Sequence, residues 1–140
     1  MKTLTALFAL AALVVGGAAM AGESPAAKNA YLYIGWPNNG EVIYKNNFRV
    51  WFGLRKMGVA PAGVDKPMTG HHHLIIDAEL PRMDEEIPAD NNHVHFGKGQ
   101  TETRITLPPG THTLQLLLAD HNHVPHNPPV MSQRITVTVK

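Results

Sequence analysis

The chain has 140 residues, enough for one domain, with twelve Lys+Arg against eleven Asp+Glu and no cysteine. Near-neutral charge without a basic run excludes a face that holds nucleic acid through its phosphates. The missing cysteines exclude disulfide staples, thiolate metal ligands and a thiol nucleophile.

Residues 1–21 have the pattern of a cleaved export signal. Lys2 supplies the positive start, Leu4 to Val15 an apolar stretch, and Ala19-Met20-Ala21 a small-x-small cleavage site before Gly22. The apolar stretch is interrupted by Gly16-Gly17 and falls short of the roughly 20 apolar residues of a spanning helix, so no membrane span is expected after cleavage. The remainder starts at Gly22 and holds eleven basic and eleven acidic residues. A secreted or periplasmic location follows, with residues 22–29 as a loose leader and residues 30–140 as a single domain.

Beyond the leader, period-two alternation dominates. "YLYIGW" (Tyr31–Trp36) is a short strand, closed by the turn signal Pro37-Asn38-Asn39-Gly40, and "EVIYK" (Glu41–Lys45) follows. "FRVWFGL" (Phe48–Leu54) places Phe48, Val50, Phe52 and Leu54 on one face. "HHLIIDAEL" (His72–Leu80) sets His72, Leu74 and Ile76 on its more apolar face, with His71, His73 and Ile75 on the other. "TETRITL" (Thr101–Leu107), "THTLQLLLAD" (Thr111–Asp120) and "SQRITVTVK" (Ser132–Lys140) complete the set. Seven short strands separated by turn signals predict an all-β, immunoglobulin-like β-sandwich. The long connections at residues 55–70, 81–100 and 121–131 are the expected functional loops.

In that topology the loops entering the third strand, entering the fifth and leaving the sixth share one end of the sandwich. They carry eight of the nine histidines: His71, His72 and His73; His93 and His95; His121, His123 and His126. The ninth, His112 in "LPPGTHTL", occupies the place of the corner tyrosine of such sandwiches and is expected to be structural. His72 is expected to pack at the rim and His126 to brace a loop.

Three segments place histidines two apart, and residues i and i+2 of a strand share a face. His71, His73, His93, His95, His121 and His123 are therefore the candidate metal ligands. Imidazole sets suit copper or zinc, whereas calcium and magnesium want carboxylates. Six imidazoles exceed one tetrahedral site, so either some stand outside it or two ions bind. Asp77 and Asp120 are expected to hold imidazole N–H groups, and Met68 and Met131 are thioethers suited to Cu(I). Unpaired, such histidines would titrate near pH 6. pH-sensing or hydrogen-bonded structural histidines are the alternative to a metal site.

No Gly-x-Ser-x-Gly elbow, phosphate loop or dinucleotide fingerprint is present, so no catalytic residue is assigned. "HVHFG" is similar to the HVH strand of copper–zinc superoxide dismutases, also β-sandwiches, but their cysteines are missing and the remaining ligand pattern does not align. "FGLRKMGVAPAG", "TGHHHLIID", "HVHFGKGQTET", "LPPGTHTLQLLLADHNHVPH" and "ITVTV" together resemble an uncharacterised family of exported bacterial domains, domain of unknown function 4399. The resemblance spans residues 52–140 and implies a secreted single-domain bacterial protein without assigning an activity. The expected role is metal handling: buffering, delivery or sensing of copper or zinc, with the metal ion and a periplasmic protein as candidate partners. The alternatives are a copper-dependent oxidoreductase and a non-catalytic partner-binding module.

Overall fold

A computed structural model describes residues 22–140, so the expected export signal lies outside the described residues. Alternation becomes two facing sheets. The first holds β1 (Tyr31–Trp36), β3 (Asn47–Arg55) and β7 (Glu102–Thr106), antiparallel in the order β1-β3-β7. The second runs β2 (Val42–Ile43), β9 (Ile135–Val139), β8 (Gly110–Ala119), β5 (Thr69–Ile76), β4 (Gly58–Val59), with β6 (His93–His95) also paired to β5. Taking β3 as the second immunoglobulin strand, β7 as the fifth, and β5, β8 and β9 as the third, sixth and seventh gives the expected sandwich order. Among the described residues there is no helix, and hence none long and apolar enough to cross a membrane.

The core lies between the sheets. Leu32, Phe48, Val50, Phe52 and Ile105 face inward from one, and Leu74, Ile76, Leu114, Leu116, Leu118, Val137 and Val139 from the other. These are the alternate positions expected of half-buried strands. Strand β5 departs from half-burial, because all of Gly70–Ile76 is buried. Its outer face is roofed by the connection after it. Ile87 packs with Ile75, Leu117 and Ala119 to form a second, smaller apolar cluster, joined by Leu80, Met83 and Met131.

Three local expectations are corrected. The third major strand ends at Ile76 rather than Leu80, because Asp77 takes the left-handed conformation (φ 52°) and breaks the pleat. Residues 93–95, expected as loop, form a short strand against β5. The leader is tied down: Gly22 N donates to Met83 O (2.9 Å), Ala26 N to Asn127 O (3.0 Å), and Ser24 Oγ to Asp120 Oδ2 (2.6 Å).

A candidate metal centre on the outer face of the second sheet

Strand register builds the cluster. His73 pairs with His95 across β5 and β6, and His71 pairs with Ala119 across β5 and β8. Cross-strand partners share a face, so His71, His73 and His95 all point away from the sandwich core. His123 joins them from the turn after β8. That turn is closed by Asp120, whose carboxylate accepts from Asn122 N (2.9 Å) and Val124 N (3.0 Å). The Ile87 N–H donates to His123 O (2.9 Å), pinning the turn to the roof segment.

The four rings are nearest neighbours. Centroids lie 4.9 Å apart for His71–His73, 5.0 Å for both His71–His95 and His71–His123, 5.1 Å for His73–His95 and 4.8 Å for His95–His123. One ring nitrogen each from His71, His95 and His123 lie within 4.8 Å of one another. Gly97 makes room for the cluster, since a Cβ there would run into the His95 ring. Gly70 instead lets β8 and His126 close on β5, where a Cβ would meet Ala119 O at 2.5 Å and His126 Cε1 at 2.7 Å.

The electrostatics favour lone pairs over charge. Burial pushes His71 down to about 4, assisted by His123 and His95 and opposed by Asp120. Burial also takes His73 down to about 3, with His71, His95 and His123 adding to the effect, and it lowers His95 in the same direction. At neutral pH these rings are therefore neutral, the form that binds a metal. The buried members thus titrate well below the expected pH 6. Among the described residues, every buried side-chain nitrogen or oxygen without a hydrogen-bond partner belongs to a histidine: His71 and His72 (both nitrogens), His73 Nδ1, His93 Nε2 and His126 Nδ1. Such a group costs about 1–3 kcal/mol, so a run of them in one strand wants a compensating partner. A metal ion fits that need at His71 and its neighbours.

Residues 50–140, more than half of the chain, match a family model described as Domain of unknown function (DUF4399). The chain belongs to this family. All nine histidines of this DUF4399 member fall inside the matched residues. No curated protein and no solved structure matches the chain.

The other two candidate ligands lie elsewhere. His93 opens β6, two residues before His95 and opposite Ile75, and its Nδ1–H donates to Asp90 Oδ1 (2.8 Å). His121 and His123 do not share a face as the i, i+2 argument assumed, because Asp120–Val124 is a turn with His123 in the left-handed region (φ 67°). His121 instead points toward Asp65 (3.6 Å) and accepts from the Asn122 amide (3.0 Å).

The supporting residues also differ from expectation. Asp120 holds its own turn and Ser24, while Asp77 holds His112 and the Thr113 N–H, so neither carboxylate orients a ring of the cluster. Met131 packs in the second apolar cluster and accepts from Gln115 (3.8 Å), while Met68 lines a separate cavity with His121. His72 is fully buried rather than at the rim, its ring 5.2 Å from that of Phe52 inside the core. His126 braces β5 by donating to Thr69 O (3.0 Å). His112 donates from Nε2 to Pro108 O (2.8 Å) and from Nδ1 to Asp77 Oδ2 (2.7 Å), the back-bonded corner geometry expected of it. Burial works against its charge, but the Asp77 carboxylate and Pro108 carbonyl prevail and raise its pKa.

Proposed function

We propose that this chain is an exported, periplasmic protein that binds a transition-metal ion, copper or zinc, for buffering, delivery or sensing. The observation that carries the reading is the convergence of three imidazoles, His71, His95 and His123, with one ring nitrogen each inside 4.8 Å. Nitrogens around a tetrahedral ion at ~2.0–2.1 Å stand ~3.4 Å apart, so the rings need close in by only about an ångström. That is a side-chain adjustment on the paired strands β5 and β6 and the turn that carries His123. An all-nitrogen set without thiolate or carboxylate suits zinc and copper and suits calcium and magnesium poorly. Export is supported by the sequence pattern of residues 1–21.

Isothermal titration of the untagged protein with Zn(II) and Cu(II) tests the reading. One tight equivalent, weakened about 10-fold or more in His95→Ala and in His123→Ala, is expected. Non-saturating uptake that ignores both substitutions would remove the metal and leave a set of structural histidines. A second reading, a copper-dependent oxidoreductase, is favoured by the cleft onto which His73, His95 and His123 open. Superoxide or peroxide turnover by the copper-loaded protein separates the two.

A further inference from the structure

The three donors differ in depth: His71 is fully buried, His123 is half-buried and His95 is exposed. An ion seated among them has protein behind it and an approach in front. That approach is a cleft of about 180 Å³ walled by His73, His95, His123, Glu86, Ile87 and Pro88. His71 is not part of the wall. We propose that a metal held by His71, His95 and His123 keeps one coordination position open to this cleft, where it takes a small anionic or neutral donor such as hydroxide or azide. This rests on the metal reading above.

The cleft volume decides the ligand class. Pockets for organic ligands run to about 300–1,000 Å³. This one has room for a few water-sized groups, at ~30 Å³ of liquid volume each. His73 stands beside the open position rather than in the donor set. Its ring is 6.2 Å from that of His123, and its nitrogens fall outside the close-lying trio. Its ring walls the cleft beside His95, with Nδ1 turned into the protein. Three neutral imidazoles leave a divalent ion its full charge, which draws an anion. Glu86 opposes that pull from the cleft wall, and among the described residues it makes no hydrogen bond or ion pair. Three protein ligands with a fourth position open is the arrangement of reactive rather than purely structural metal sites.

Azide titration of the Cu(II)-loaded, untagged protein, followed by the azide-to-copper charge-transfer absorption, tests the inference. A saturable band at one azide per copper is expected. Glu86→Gln should tighten azide about threefold, the effect of removing one negative charge several ångströms away in wet surroundings; unchanged affinity would remove Glu86 from the site. Stoichiometric copper with no azide band would overturn the open position while leaving metal binding intact. A band appearing only in His73→Phe would then assign His73 as the fourth donor. Failure to bind copper at all would overturn both the inference and the reading beneath it.

Discussion

Mild acid should destabilise the metal-free protein. His71 and His72 are held at about 4 and His73 at about 3, against an ordinary value of 6.5. All three are essentially inaccessible to solvent, so bulk water does little to soften the effect. A folded-state pKa below the unfolded one means that the unfolded chain takes up protons first. Stability is then fully present above pH 6.5 and falls as the pH drops toward 4. Between pH 7 and pH 5 each of these histidines removes about 2 kcal/mol, and the three together about 6 kcal/mol. That is a large share of the ~5–15 kcal/mol of an ordinary domain. His112 acts in the opposite sense. Its raised pKa contributes stability below 6.5 that is lost as pH rises through the folded value, so it offsets part of the loss. The lowered pKa of Asp120 matters only below about pH 4, outside this window. Urea unfolding in the presence of a chelator, at pH 7 and at pH 5, measures the difference. A fall in midpoint equivalent to several kcal/mol at constant m is expected. A loss under about 1 kcal/mol would mean that these rings are protonated or solvated in the folded protein, and the burial argument would fail.

Three further outcomes follow from the geometry. Gly97→Ala should weaken metal affinity with little change in melting temperature, because the new Cβ meets the swinging end of the His95 ring rather than backbone; calorimetric titration beside a thermal melt checks both halves. His112→Ala should destabilise by about 2 kcal/mol through loss of two charge-assisted hydrogen bonds while metal stoichiometry stays the same, measured by urea unfolding and metal analysis. His72→Leu should leave stability unchanged or raise it, since the ring's approach to the Gln100 backbone falls short of a well-formed hydrogen bond; a loss above about 2 kcal/mol in urea unfolding would show that this contact holds His72 in place.

Alternation made the sandwich legible: Phe48, Val50 and Phe52 face inward, and so do Ile135, Val137 and Val139. The "HHH" triplet was readable in the same way, since a strand must send His71 and His73 to the face opposite His72. The meeting of His95 with His73 was harder to read, because it depends on a three-residue strand with almost no pattern of its own. His121 misled because the i, i+2 rule holds for a pleated strand and fails in the turn that Asp120 closes. The roof was hidden too. Leu80, Met83 and Ile87 are scattered along a connection without periodicity, and only tertiary packing gathers them over β5. The corner histidine was clear because a back-bonded residue after Pro-Pro-Gly has one geometric role, and imidazole can fill it.

The most direct measurement is anomalous diffraction at the copper or zinc edge from crystals soaked in the metal. A single strong peak about 2.0–2.1 Å from one ring nitrogen each of His71, His95 and His123 is expected. No peak there, or a peak confined to other histidines such as His121 beside Asp65, would contradict the account.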